Sequence, residues 1–408
     1  MKFTKEFLQK IPKTDLHLHL DGSLRLDTLI ALSKEYKIEL PSYTESGLRE
    51  LVFKEQYKDL GEYLQGFSYT TAVLQTKEAL QQVAYELAWD NINEGVFYIE
   101  VRFAPQLHIN KNLKIEDVLE AVNNGLKKAK QEFNDTKEVQ TGEKPAFHYG
   151  IIVCALRMFT KEFSYYYNQL IETHRYSNLH RVHDLYSLAS LELIKSAYYI
   201  KNDRNIPIVG FDLAGQEDGY PASQHYEAYA FAHSHFIKKT VHAGEAYGAE
   251  SIFQAITLLH ANRIGHGFYL FDKDKIENPE IKDKEKYIYE LANYIATSRI
   301  TIEVCLTSNM QTNPNLKNIK DHSLKEMLKQ GLSVSLCTDN RLVSNTTVTK
   351  EVQYAVDNFD ISPKRLKNII IYGFKRNFFP GPYAKQRQYC RQIIDYYEKI
   401  EKEIGISD

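Results

Sequence analysis

Apolar runs rich in Val, Ile, Phe and Tyr recur along the chain, spaced by stretches long enough for a helix, with no Gly/Ser-rich linker dividing them. Eight such segments cover 14–21, 96–105, 147–157, 206–215, 239–245, 263–270, 300–309 and 333–340. Short apolar runs alternating with helical stretches predict βα units and a parallel sheet. Eight units predict a closed (β/α)8 TIM barrel with additional helices; a doubly wound sheet alternates in a similar way. Between the first two segments, Glu78-Ala79-Leu80-x-x-Val83-Ala84-x-x-Leu87 has helical period.

The polar residues that interrupt the apolar pattern favour the barrel. His17, His19, His242, Glu245, His266 and Asp339 all fall in or at the C-terminal ends of the eight segments, where barrel enzymes place their chemistry. Within Thr14-Asp15-Leu16-His17-Leu18-His19-Leu20-Asp21-Gly22 the two histidines stand at i and i+2 in an apolar alternation, so in a strand both face one side. The pair His233-Ser234-His235 sits instead in a helical run, where i and i+2 diverge by roughly 200°.

The 408-residue chain is expected to form one barrel domain over 1–408, with surface insertions near 128–145, 159–188 and 272–285. The middle insertion carries Tyr165-Tyr166-Tyr167 and His180-x-x-His183, and the expectation is a helical excursion packed on the barrel's flank rather than a second metal site. Tyr396-Tyr397 is likewise expected to pack on the flank. Lys+Arg (51) balances Asp+Glu (53), which offers no footprint for nucleic acid. No uncharged apolar run is long enough to span a bilayer, and the N-terminal stretch lacks the apolar core of a signal peptide. Cys154, Cys305, Cys337 and Cys390 have no C-x-x-C spacing and suit buried, reduced thiols; the expected location is cytoplasmic. Composition gives no oligomeric state.

Two imidazoles alone do not hold a catalytic metal, and three later motifs supply the remainder: Val241-His242-Ala243-Gly244-Glu245, Arg263-Ile264-Gly265-His266-Gly267 and Leu336-Cys337-Thr338-Asp339-Asn340. Three neutral imidazoles and one carboxylate bind Zn²⁺ and leave a position for water, whose pKa the ion lowers toward about 7. Glu245, three residues past His242, stands where a proton donor is needed, and His266 on the next strand stands where it can steady the nucleophile.

In H-L-H-L-D-G, F-Y-I-E-V-R-F-A-P, D-L-A-G, H-A-G-E, R-I-G-H-G and the T-D pair, the chain from Asp15 to Asn340 resembles the adenosine deaminase family, zinc-dependent barrels of the amidohydrolase superfamily. The resemblance implies one zinc held by His17, His19, His242 and Asp339, with Glu245 protonating purine N1 and His266 orienting the hydroxide that attacks C6. It implies that Gly215 offers its backbone N–H to purine N3, that Asp21 holds the ribose 5′-hydroxyl and that Phe67 gates the pocket. The implied partner is a small-molecule nucleoside, adenosine or 2′-deoxyadenosine, converted to inosine and ammonia. Alternatives are a deaminase of adenine or a modified adenosine, or a nucleoside-binding relative with little turnover. A carboxylate at Asp21 disfavours a 5′-phosphate. Asn340 replaces an aspartate common in the family; its amide is able to donate to purine N7 without a protonation event.

Overall fold

In the computed structural model, which describes residues 3–177 and 182–406 and only the backbone of Val182 and His183, eight parallel strands pair in chain order. They are β1 Lys13–His19, β2 Val96–Phe103, β3 His148–Leu156, β4 Ile208–Ala214, β5 Lys238–Ala243, β6 Arg263–His266, β7 Thr301–Val304 and β8 Ser333–Leu336. β8 returns beside β1, where the His19 N–H donates to the Asp339 carbonyl and the Asp339 N–H to the His17 carbonyl, both at 2.8 Å. The expected (β/α)8 barrel is present.

Alternation along each strand divides two interiors. Leu16, Leu18, Val241, Ile264, Ile302 and Val334 belong to the apolar layer between sheet and helices, where burying each such side chain stabilises by about 1.5–3 kcal/mol. The opposite parity, Asp15 and His17, Glu100 and Arg102, Asp212, His242, Arg263 and Glu303, fills the barrel with buried polar groups, all at most 5% exposed. Such a filling demands complete pairing, since an unpaired buried charge is strongly destabilising. Arg102 donates to Asp212 at 3.0 Å, to Glu303 at 2.8 Å and to the Leu16 carbonyl at 2.5 Å. Arg263 pairs with both Glu303 and Glu100, its guanidinium lying 3.7 Å over the Phe378 ring.

Several strands stop short of the expected ends. β7 gives way at Cys305 to a helix, Leu306–Thr312, and β6 ends at His266, where His266 and Gly267 turn left-handed (φ +63° and +58°). Lys77–Ile92 is helical and buries Ala79, Leu80, Val83, Ala84 and Leu87, as the periodicity predicts. Helix Tyr226–Ser234 carries His233, and the His235 ring just past it bonds back to the Phe231 carbonyl. Of the insertions, 128–145 continues helix Ile115–Asn134 and adds a short one at Lys137–Gln140; Lys273–Lys275 makes a single 3₁₀ turn within 272–285. Tyr167 and Tyr397 are fully buried, in keeping with packing. His180 and the side chain of His183 lie outside the described residues. Among the described residues no helix is long and apolar enough to cross a membrane, and all four cysteines are buried and unpaired.

Candidate active site

β1 delivers His17 and His19, β5 delivers His242, and Asp339 arrives three residues past β8 in the left-handed region (φ +60°), a conformation that non-glycine residues adopt only when their surroundings hold it. Asp15 is part of what holds it, because its carboxylate accepts from both the backbone and the hydroxyl of Thr338. Ser308 donates to Asp339 Oδ2 at 2.7 Å, which leaves Oδ1 facing the imidazoles.

His17 Nδ1 lies 2.8 Å from Glu303 Oε2 and His242 Nδ1 lies 3.1 Å from Asp212 Oδ2. Burial works against the charge on these two carboxylates, but Arg102 and the rings they hold, with Arg263 beside Glu303, keep both far below the usual range. An ionised carboxylate only accepts, so both rings carry hydrogen on Nδ1 and aim an Nε2 lone pair at the site. His19 Nε2 and His242 Nε2 are 3.1 Å apart, and Asp339 Oδ1 lies 3.4 Å from His17 Nε2 and 3.5 Å from His19 Nε2. Ligand atoms bound to one ion at about 2.0–2.1 Å sit roughly 3–3.5 Å apart, which matches this cluster. His17 Nε2 is buried with no hydrogen-bond partner, and all four residues offer an atom within 4.8 Å of one another. His17 reaches the cluster only because residue 265 is glycine: a Cβ there would come 2.8 Å from its Cε1.

Burial lowers the pKa of His19 and His242, and for His17 the carboxylates of Asp339 and Glu303 outweigh burial and Arg102 and leave it raised. Asp339 is held far down, the nearby His17 ring and the surrounding imidazoles outweighing its burial. The donor set fits a divalent metal and forms a potential metal-binding group.

Glu245 follows β5 and Gly244, its side chain only 7% exposed and its Oε1 lying 3.6 Å from His266 Nε2. Burial, then the negative charges of Asp339 and Glu217, push its pKa well above the usual carboxyl value and so favour its protonated form. His266 is pushed the other way, chiefly by burial, and stays neutral. Its tautomer follows from its neighbours. The Leu324 N–H donates to His322 Nδ1 at 3.0 Å, so His322 carries hydrogen on Nε2 and donates to Asn309 Oδ1 at 3.2 Å. The Asn309 amide then donates to His266 Nδ1 at 3.1 Å, which places the ring proton of His266 on Nε2, facing Glu245 and the cavity.

A cavity of about 750 Å³ opens over this cluster. His19, Asp21, Phe67, Gly215, His242, Glu245, His266, Asp339 and Asn340 all line it, and His17 lies beneath. Every expected site residue is therefore brought to one place. Residues of the insertion at 159–188, Glu162, Phe163 and Ser164, line this cavity together with Phe67, so that excursion does more than pack on the flank. Asp21 is buried, its Oδ1 unpartnered, and burial raises its pKa to about 7. Asn340 donates its amide to the Tyr63 hydroxyl at 2.8 Å, and its Oδ1 is unpartnered. This side chain lies so close over Gly22 that a Cβ there would meet its Oδ1 at 1.8 Å. The structure thus engages the Asn340 amide with Tyr63, on the helix beside the mouth, and not with the open cavity.

Sequence reasoning passed over Arg102, Glu303, Asn309 and Glu217. Charged residues inside parallel strands such as Val96–Phe103 were the available signal, because neither face of such a strand meets water.

A sequence profile of the family described as "Adenosine deaminase" matches residues 12–180 and 180–396. The adenosine deaminase of Vibrio atlanticus is 33% identical over 370 residues, covering 90% of this chain and 94% of that protein. A probable adenosine deaminase of Dictyostelium discoideum is 32% identical over 93% of this chain, which spans 42% of that longer protein. Among solved structures, an amidohydrolase from Burkholderia ambifaria with bound zinc superposes with a TM-score of 0.76 at 16% identity, covering 100% of this chain and 97% of that one. With barrel, ligand cluster and family profile in agreement, the chain belongs to the adenosine deaminase family, metal-dependent hydrolases acting on C–N bonds.

Proposed function

We propose that this protein converts adenosine and 2′-deoxyadenosine to inosine or deoxyinosine and ammonia, using one zinc ion held by His17, His19, His242 and Asp339. The observation that carries the reading is the buried side chain of Glu245 set 3.6 Å from His266 beside that ligand cluster, where burial pushes the pKa of the first up and of the second down. When bound, zinc lowers the pKa of water toward about 7 and so supplies a nucleophile at neutral pH.

The chain's own residues do the rest. Glu245 gives its proton to purine N1, which makes C6 electrophilic, and His266, with hydrogen on Nε2 and no free lone pair, donates a hydrogen bond to the incoming oxygen. The C6–O bond forms and the C6–amine bond breaks. Of the two protons that water brings, one balances N1 and the other leaves on nitrogen as ammonia, with Glu245 regaining what it gave. Asp21 receives the sugar hydroxyl, Gly215 the N3 edge, and Phe67 closes the mouth. Asn340 meets N7 with the amide it otherwise gives to Tyr63, whose hydroxyl is able to donate or accept in exchange. Among the described residues no Lys or Arg lines the cavity, which supports a nucleoside over a nucleotide. Buried, unpaired cysteines suit a reducing compartment, and we place the protein in the cytoplasm, as one barrel domain.

An ultraviolet time course with adenosine, deoxyadenosine, adenine and AMP tests the substrate. The nucleosides alone are expected to react, and turnover of adenine or AMP in preference to them overturns the assignment. Glu245→Gln is expected to keep zinc and thermal midpoint and to lose at least about 100-fold in kcat. Asp339→Ala is expected to lose metal and activity together, and stoichiometric zinc in that variant contradicts the ligand role.

A further inference from the structure

The loop after β5 brings four consecutive backbone N–H groups to one buried side chain, Glu217, two residues past Gly215. Gly244 donates to Glu217 Oε1 at 3.0 Å, while Glu245, Ala246 and Tyr247 donate to Oε2 at 3.0, 2.6 and 3.0 Å. Ser251 adds its hydroxyl to Oε1, and Arg157 stands 4.0 Å away while donating to the His242 carbonyl at 2.6 Å. Glu217 is 1% exposed, does not line the cavity and touches none of the metal-site side chains. A carboxylate this deep is expensive to bury, and four donors on one loop, with a fifth from the helix Ala249–Thr257 that follows it, exceed what capping a turn requires.

We propose that Glu217 is the positioning residue of the proton donor: by gathering the N–H groups of Gly244 to Tyr247 it fixes the backbone from which Glu245 reaches the substrate. This rests on Glu245 being that donor. The two acidic residues are joined by the Glu245 N–H itself, so displacement of the Glu217 carboxylate moves the Glu245 Cα directly. Arg157 completes the arrangement from the other side, tying the His242 carbonyl to the same corner. A second consequence is electrostatic. The charged groups around Glu245 are Asp339, Glu217 and Arg157, with neutral His266 beside it; the first two favour its protonated form and Arg157 opposes it. Removing the Glu217 charge therefore shifts the balance toward ionised Glu245.

Glu217→Asp keeps the charge and shortens the reach, whereas Glu217→Gln keeps the length and removes the charge, with an NH₂ set against backbone donors. Kinetics are read on the zinc-loaded enzyme beside metal content, thermal midpoint and Glu245→Gln. For Glu217→Asp the expected result is a kcat loss of about 10–100-fold, with KM, zinc stoichiometry and the pH midpoints retained. For Glu217→Gln the same kcat loss is expected, with the basic limb of kcat moved to lower pH, because activity needs protonated Glu245. Two folded, zinc-replete variants with wild-type kcat and pH profile overturn the inference. If Glu245→Gln is itself fully active, the donor assignment fails instead, so the two failures are distinguishable. Should neither Glu217 variant accumulate, Ser251→Ala removes one donor from the carboxylate and is expected to lower kcat several-fold at constant KM; an unchanged kcat there is equally decisive against it.

Discussion

His266 owes its chemical character to residues two shells away. Its Nδ1 is occupied by the Asn309 amide, whose own orientation is fixed by His322 and, behind that, by the Leu324 N–H. The ring can therefore donate from Nε2 but cannot accept there, which under the proposed mechanism suits a stabiliser of the attacking oxygen and not a base. Asn309→Asp tests this, because an aspartate accepts at both ends and requires hydrogen on His266 Nδ1. The Nε2 lone pair would then face the oxygen it should steady. The expected outcome is a kcat loss of about 100-fold or more with KM and zinc content retained, in line with the penalty for a wrong imidazole tautomer at a catalytic site. A variant with kcat within about twofold of wild type contradicts the tautomer assignment. Asn309→Leu, which removes the donor without imposing the opposite tautomer, should fall between the two.

At the scale of elements, Arg102 ties β2 to β4 and β7 through Asp212 and Glu303, the carboxylates that orient His242 and His17. Arg102→Met leaves those charges buried with one partner fewer, and an unfolding loss of about 3–5 kcal/mol is expected. Metal affinity should fall by about 10–100-fold as the rings lose their supports, measured by denaturant unfolding and chelator competition. An unmoved unfolding midpoint would refute the idea that the pair network is structural. Its parts also show what the sequence conveys and what it withholds. Strand positions and the ligand quartet are legible because apolar runs, i/i+2 histidines and strand-end motifs are local signals. Strand ends are not. The left-handed turns at His266 and Asp339 and the helix Leu306–Thr312 that carries Ser308 and Asn309 depend on partners from other strands. Glu217 is equally silent in the sequence, because its donors lie about thirty residues further on. The family resemblance implies a base contact for Asn340, whereas its link to Tyr63 is a long-range contact that no local pattern encodes.

For the whole molecule, the potential metal-binding group sits where the barrel closes. Asp339 and β1 form the seam that joins the last strand to the first, and His242 reaches the same point from β5 across the barrel. An ion bound there fastens the seam to the opposite wall, so its removal should be felt as loosening of the closure as well as loss of activity. At a free metal concentration near 1,000 times Kd the ion contributes about 4 kcal/mol, which for a chain of this length predicts a fall in thermal midpoint of about 5 °C upon chelation. Hydrogen exchange should localise the change to the His19 and Asp339 amides that close the barrel. The stabilisation also has a pH window. Protons compete with the ion for all three imidazoles: burial lowers the pKa of His19 and His242, whereas the carboxylates of Asp339 and Glu303 leave that of His17 raised. The metal's contribution should accordingly be lost as the pH falls, with His17 the first ligand taken by a proton and His19 and His242 holding out below the ordinary imidazole range. Chelated, metal-free protein that melts with the loaded form at pH 7 would show that the seam closes without the ion and that the cluster serves chemistry alone.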